Sequence, residues 1–316
     1  MSAKENDNAN LYELIERAFP ADNSRPLLQT PDGQAWSYAD VQNRSAGIAN
    51  YLLGLGARPG DRVTVQVDKS PQVLCLYLAC LGAGLVYHPL NTAYQATELA
   101  YFLEDAKPRV VVCAGRDLAL FESLSPAADA WALCTLEADG SGSLSAAAAD
   151  CSSTFDTVSR APDDLAALLY SSGTTGRPKG IMLTHANLAS NALSLVKLWG
   201  FCPEDVLLHA LPVFHVHGLF VAIHCVLLSG AQMLWLDRFD VADIKTALPH
   251  CSVMMGVPTY YTRLLADPDF QREQCASMRL FISGSAPLLP ETFAQFKQRT
   301  GHTILERYGM SETGMN

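Results

Sequence analysis

Paired cysteines are missing from this chain. Its nine cysteines are an odd number, and none stands in a Cys-x-x-Cys pair. Their neighbours are apolar, as in Leu74-Cys75-Leu76 and Val112-Cys113-Ala114. That pattern argues against a disulfide framework and against a zinc site, and predicts buried free thiols in a reducing compartment. Long apolar runs are missing too. The longest, Leu219 to Leu228, is about half a membrane span and contains His224. Residues Met1 to Asn10 have neither an apolar signal core nor an Arg-rich transit pattern, and are expected to be disordered. Positive charge is scarce: Lys and Arg number 22 against 32 Asp and Glu, for a net charge of −10. Nucleic acid and anionic membrane are poor main partners for such a chain, so an anionic substrate must be met by local positive charge. A soluble, cytoplasmic protein is expected, and the sequence does not indicate its oligomeric state.

Hydrophobic residues make up 49% and charged residues 17%, which supports a sizeable core. Short apolar strands alternate with helical patterns. Strands are expected at Arg62–Val67, Leu85–Pro89, Val110–Cys113, Leu165–Leu169, Val206–Leu211, Met233–Leu236, Val253–Val257 and Leu280–Ser283. Helices are expected at Tyr38–Leu55, Pro71–Leu81, Ala96–Asp105, Leu219–Leu228, Val241–Leu248, Thr259–Ala266 and Pro290–Thr300. The alternation predicts an α/β class with mainly parallel sheets flanked by helices. Between Ser123 and Ser159 the composition turns to Ala, Ser, Asp and Gly. A subdomain junction is placed there, giving a first subdomain over residues 11–160 and a second over 161–316.

The most informative segment is Tyr170-Ser-Ser-Gly-Thr-Thr-Gly-Arg-Pro-Lys-Gly180, directly after the apolar run Leu165 to Leu169. Glycines let backbone N–H groups turn toward an anion, hydroxyls add donors, and Lys179 adds a full positive charge. Ser171, Ser172, Gly173, Thr174, Thr175, Gly176, Arg177 and Lys179 therefore form a candidate phosphate cradle. A Walker A loop needs Gly-Lys followed by Ser or Thr, whereas Pro178 precedes Lys179 and Gly180 follows it.

Three further constellations carry chemistry. In Tyr308-Gly309-Met310-Ser311-Glu312-Thr313 a carboxylate beside a hydroxyl could hold Mg²⁺ against phosphate oxygens. In Ser283-Gly284-Ser285-Ala286-Pro287 small residues follow an apolar strand, where a flat ring can lie against backbone at a strand's carboxyl end. In Leu211-Pro212-Val213-Phe214-His215-Val216-His217-Gly218 a His-x-His pair has no further ligand cluster to support zinc. His217 reads as a core histidine bonded to backbone.

These motifs resemble the adenylate-forming superfamily of acyl-CoA synthetases, luciferases and peptide-synthetase adenylation domains, over about Leu11 to Asn316. The resemblance implies that the hydroxyl and glycine loop with Arg177 and Lys179 holds the β- and γ-phosphates of ATP. It implies that Ser283, Gly284, Ser285, Ala286, Pro287, Glu306, Arg307, Tyr308 and Gly309 border adenine and AMP. Ser311, in place of the commoner threonine, would meet the α-phosphate, and Glu312 would hold Mg²⁺. His215 would border the reacting carboxylate. Within the superfamily, the runs around His209 to Phe220, Gly256 to Tyr260 and Glu306 to Asn316 look like the malonyl-CoA synthetase branch. That implies Arg238 and His215 facing malonate, with Val216 and Met315 limiting acyl size, and CoA as co-substrate. Arg263 and Arg307 are the other basic groups near these segments, and a carboxylate is naturally met by a guanidinium. Activation of a fatty, aryl or amino acid on the same fold, and a non-catalytic nucleotide-binding fragment, are the alternatives. Against the family pattern the chain stops inside the large N-terminal domain. The expectation is a truncated chain lacking the ribose aspartate, the hinge and the C-terminal lid domain with its adenylation lysine.

Overall fold

The computed structural model describes residues 8–125, 127, 130–171 and 178–314. The expectations for Ser172, Gly173, Thr174, Thr175, Gly176, Arg177 and Met315 lie outside these residues. Thirteen strands are described: β1 (Pro26–Gln29), β2 (Ala35–Ser37), β3 (Arg62–Gln66), β4 (Val86–Pro89), β5 (Val110–Cys113), β6 (Ala132–Thr135), β7 (Leu165–Ser171), β8 (Lys179–Thr184), β9 (Val206–His209), β10 (Gln232–Trp235), β11 (Val253–Gly256), β12 (Leu280–Ser283) and β13 (Ile304–Glu306). They form two sheets, ordered β6-β5-β3-β4-β7-β8 and β13-β12-β11-β9-β10-β1-β2. Both are parallel except at one edge, where β8 runs antiparallel to β7 and β2 antiparallel to β1.

The chain divides into two units: residues 1–17 with 39–190, and 18–38 with 191–316. This differs from the compositional break near residue 160. The Ala/Ser-rich stretch is not a junction, because Ala132–Thr135 pairs in parallel with β5 and belongs to the first sheet. β7 and β8 also join that sheet, and β1 pairs with β10 in the second. The N-terminal expectation is corrected as well. The Asn10 side chain is buried and donates to the carbonyls of Leu81 and Val158 at 2.8 and 2.9 Å, and the Asn8 side chain accepts the Asn10 and Arg160 N–H groups, so Asn8 to Asn10 are held in place.

In the first unit, β5 reads Val-Val-Val-Cys with every residue buried, the signature of a parallel strand covered on both faces. The helix Pro71–Gly82 is apolar nearly all round and buried from Val73 onward. The helix Ala96–Ala106 starts at a capping box between Gln95 and Glu98 and ends at Lys107 in the left-handed region (φ 46°). Arg62, on β3, donates from Nε to the Ala106 carbonyl and from Nη2 to the Lys107 carbonyl, both at 2.6 Å, which fixes that helix end to the sheet. Helix His185–Trp199 starts where Thr184 and Asn187 each accept the other's backbone N–H at 3.1 Å.

In the second unit a core of Leu208, Met254, Tyr261, Phe270, Phe281 and Phe296 packs one face of the sheet. Asp205 carries a polar node beneath it. Its carboxylate accepts from Ser252 Oγ at 2.7 Å and from Arg279 Nε at 2.7 Å and Nη2 at 2.5 Å. The apolar run expected as one helix at Leu219–Leu228 divides into a π-helical stretch, His217–Ala222, and an α-helix, Ile223–Ser229. Such wide turns recur at functional sites because they re-aim the residues at their start.

Candidate active site

Parallel strands end together, and their carboxyl ends present backbone and loop residues to a ligand. In the second sheet β13, β12, β11 and β9 are consecutive neighbours. The segments that leave their carboxyl ends line one cavity of about 470 Å³. Leu211, Pro212, His215, Val216, His217 and Gly218 come after β9, Val257 after β11, Ser285 after β12, and Gly309, Met310, Ser311 and Glu312 after β13. A second cavity of about 410 Å³ is lined by Ser285, Ala286, Pro287, Glu306, Arg307, Tyr308 and Gly309. Ser285 and Gly309 border both.

The turn after β12 is held from several directions. Gly284 N–H donates to the Gly256 carbonyl at 3.1 Å, and Arg307 N–H to the Ser283 carbonyl at 2.9 Å. Glu306 accepts the Leu288 N–H at 2.8 Å, so this carboxylate closes the turn as well as lining the second cavity. Ser285 sits at φ 69°, in the left-handed region that costs a residue with a Cβ free energy. A Cβ on Gly284 would meet Arg307 Cγ at 3.0 Å and His217 Cε1 at 3.2 Å. The glycine is therefore what allows the arginine stem and the imidazole to approach the same backbone point. Gly218 serves similarly, since a Cβ there would lie 2.1 Å from the Pro212 carbonyl oxygen.

The histidines differ in role. His217 is buried, as expected, but its bond is to a side chain and not to backbone: Nδ1 lies 3.3 Å from Ser285 Oγ. Burial, and secondarily the nearby Arg307 charge, push its pKa down to about 3, so the ring is neutral. His209 bonds backbone, its Nε2 lying 2.9 Å from the Gly218 carbonyl, and it stacks on Trp235. His215 is exposed to the first cavity and packs against Phe214, and the surrounding protein lowers its pKa. Val216 is buried in the same wall.

Arg307 is half-buried with its guanidinium 5.4 Å over the Trp199 ring. Burial draws its pKa down to about 10, which leaves it cationic at neutral pH. Tyr308 is 80% exposed, so its ring is available to a planar partner. Ser311 to Thr313 form a single 3₁₀ turn, and Asn191 Nδ2 pins the following Gly314 carbonyl at 2.5 Å. Glu312 is exposed on that turn.

Two expected residues lie elsewhere. Arg238 is exposed in the bend after β10 and lines neither cavity. Arg263 is exposed, with its guanidinium 4.8 Å over Phe239. Ser171 and Lys179 are paired residues of the antiparallel β7–β8 ladder, and Lys179 is exposed. Leu211, Pro212, Gly218, Val257 and Met310 line the first cavity without having been singled out as site residues. Their signal was position, since Val257 directly follows β11 and Leu211 lies two residues after the end of β9.

The description "AMP-binding enzyme" matches residues 15–316. The chain belongs to the AMP-binding enzyme family. A relative, malonate–CoA ligase ACSF3, mitochondrial, of Xenopus laevis, is 32% identical over 307 residues, covering 88% of this chain and 52% of that protein. Feruloyl-CoA synthase of an Amycolatopsis species is 32% identical over 285 residues, covering 89% and 55%. The ATP-bound structure of MatB from Rhodopseudomonas palustris matches with a TM-score of 0.94 at 48% identity, covering 98% of this chain and 61% of that one. The chain thus spans a little over half the length of these relatives.

For an AMP-binding enzyme the donor set can be tested against Mg²⁺. Among the described residues no group of three or more His, Cys, Asp or Glu could hold a metal. Glu312 offers one exposed carboxylate beside the Ser311 hydroxyl. That fits an ion that keeps several waters and takes its remaining oxygens from phosphate. Among the described residues no helix is long and apolar enough to cross a membrane.

Proposed function

We propose that this chain binds ATP and a small carboxylic acid for conversion to an acyl-adenylate and then to a CoA thioester, with malonate as the acid. The observation that carries this reading is the joint cavity wall of His215, Val216, Ser285, Gly309, Ser311 and Glu312 at the carboxyl ends of neighbouring strands. A carboxylate oxygen would bond to the α-phosphorus as pyrophosphate leaves, and the CoA sulfur would then take the acyl group as AMP departs. Positioning and charge neutralisation suffice for such transfers. Ser171, Ser172, Gly173, Thr174, Thr175, Gly176, Arg177 and Lys179 are proposed for the β- and γ-phosphates, and Ser311 for the α-phosphate. Mg²⁺, held by Glu312, would screen phosphate charge. The wall from Ser283 to Pro287 and the exposed Tyr308 are proposed to sandwich adenine, beside Glu306, Arg307 and Gly309.

His215 is proposed at the reacting carboxylate, where a neutral imidazole can donate one hydrogen bond without pairing away its charge. Val216 and Met315 would limit acyl length. Arg238 is the proposed partner of the far carboxylate of malonate. A free-thiol chain in a reducing, cytoplasmic setting fits this chemistry, since no cysteine is used in it and seven of the nine are buried.

One observation favours a second reading. Among the described residues the first cavity is lined by apolar and neutral groups apart from Glu312, and Arg238 is not in its wall. Burying an unpaired carboxylate is costly, so an acid with an uncharged tail also fits. ATP–pyrophosphate exchange with the whole encoded protein, run on malonate, butyrate, ferulate and sulfoacetate, separates the two. Exchange with malonate that Arg238→Ala abolishes supports the first. Exchange with butyrate or ferulate but not malonate removes it.

A further inference from the structure

The helix Ala96–Ala106 touches both feet of the β7–β8 hairpin. Tyr101 Oη donates to the Pro178 carbonyl at 2.9 Å, and Tyr170 Oη donates to Asp105 Oδ2 at 2.5 Å. Tyr101 and Asp105 stand four apart, so they share one face of the helix. Between them Phe102 packs its ring 4.5 Å from the Tyr170 ring, and Tyr101 and His88 flank the same ring at 6.2 and 5.4 Å. The helix itself is not free to drift. Its first turn is closed by the Gln95–Glu98 box and its last carbonyls are taken by Arg62 from the sheet. Tyr170 and Pro178 are the residues immediately preceding Ser171 and Lys179, which pair with each other. One bond therefore fixes the chain as it leaves β7 and another fixes it as it enters β8.

From this we infer that Tyr101 and Asp105 are positioning residues for phosphate binding, setting where Ser171 and Lys179 present their donors while touching no ligand themselves. The inference rests on the proposed role of that hairpin in holding the β- and γ-phosphates. Without the two bonds, the lysine ammonium and serine hydroxyl would have to be ordered by the ligand at the moment of binding, and affinity would fall by that ordering cost.

The test is calorimetric titration of the whole protein with ATP and, separately, with AMP, for Tyr101→Phe, Asp105→Ala and Lys179→Met. Tyr101→Phe and Asp105→Ala should each weaken ATP about fivefold, the worth of one hydrogen bond. AMP, which lacks the outer phosphates, should bind as to wild type, and the melting temperature should stay within about 2 °C. A purely structural role would move ATP, AMP and the melting temperature together, and that result overturns the inference. Unchanged ATP affinity in Tyr101→Phe and Asp105→Ala, with a large loss in Lys179→Met, overturns it while leaving the phosphate role of the hairpin intact. Unchanged ATP affinity in Lys179→Met removes the phosphate role, and the inference with it.

Discussion

His217 Nδ1 lies 3.3 Å from Ser285 Oγ, although the two residues follow β9 and β12, which are separated in the sheet by β11. The bond ties the π-helical stretch to the turn that walls both cavities. Ser285 itself sits in the left-handed region at φ 69°. Replacing Ser285 by alanine removes the bond and keeps the backbone strain, whereas glycine removes both. Ser285→Ala should cost about 1 kcal/mol, and Ser285→Gly should be more stable than Ser285→Ala by about 1 kcal/mol. Urea denaturation of the three proteins reads this ranking, and identical midpoints for the two variants would show that the strain is not stored there.

Gly284→Ala places a methyl group 3.0 Å from Arg307 Cγ and 3.2 Å from His217 Cε1. Either the arginine stem or the imidazole must give way, at about 1–3 kcal/mol for overpacking. Because both side chains border the cavities, AMP affinity should fall along with stability. Retained AMP affinity at reduced stability would show that the turn tolerates the shift without changing the binding wall.

Asp205 depends on Arg279. Burial raises the Asp205 pKa, but hydrogen bonds from Arg279, Ser252 and the Cys202 N–H outweigh it and hold the carboxyl below its usual range. The aspartate side chain is 3% exposed and the arginine 37%. Arg279→Ala leaves a buried carboxylate without its cation, and with the arginine partly screened by solvent the loss should be about 2–3 kcal/mol. A folded-state pKa below the unfolded value gives stability that is present above the usual aspartate range. That stability disappears as pH falls through the folded value. Arg279→Ala should therefore differ most from wild type near neutral pH and least in acid, as read by urea unfolding at several pH values.

Buried histidines set a second acid sensitivity. Burial pushes His185 down to about 4 and His88, His217 and His224 to about 3. At His185 burial is joined by the nearby Arg160 charge, and Nδ1 accepts the Leu11 N–H at 3.0 Å, an acceptor that protonation there would destroy. Above pH about 6.5 these groups are neutral in both states and contribute no pH dependence. Below it the unfolded chain takes up protons that the folded protein refuses, so stability falls until the folded values are reached. Each such histidine adds about 1.4 kcal/mol per pH unit to that slope. His185→Asn should make the decline between pH 6 and 4.5 shallower, and an unchanged slope would contradict the assignment.

Much of this architecture was legible because a parallel strand buried on both faces needs an unbroken apolar run. Val110–Cys113 and Leu280–Ser283 were read with their observed limits, as was the helix Pro290–Thr300. The strands that were missed carry little such signal: β6 and β13 are mostly exposed or half-buried, and β2 is three residues long. β8 alternates buried and exposed side chains from Gly180 to Leu183, a pattern only four residues long. The division into units was illegible for a different reason. β1 pairs with β10 across about two hundred residues of chain, and nothing local in Pro26–Gln29 encodes that partner. At the site, the motifs marked the strand ends and the small residues. The His217–Ser285 bond and the π-helical turn depend on packing between distant segments, and the sequence does not print such contacts.

Adenine is proposed to lie against the wall formed after β12 and β13. Photolabelling with 8-azido-ATP, followed by peptide mapping, tests that placement. Label should fall on the peptide containing Tyr308, which is 80% exposed beside Ser285 to Pro287, and excess ATP should suppress it. ATP-suppressible label confined to peptides outside residues 283–287 and 306–312 would contradict the account.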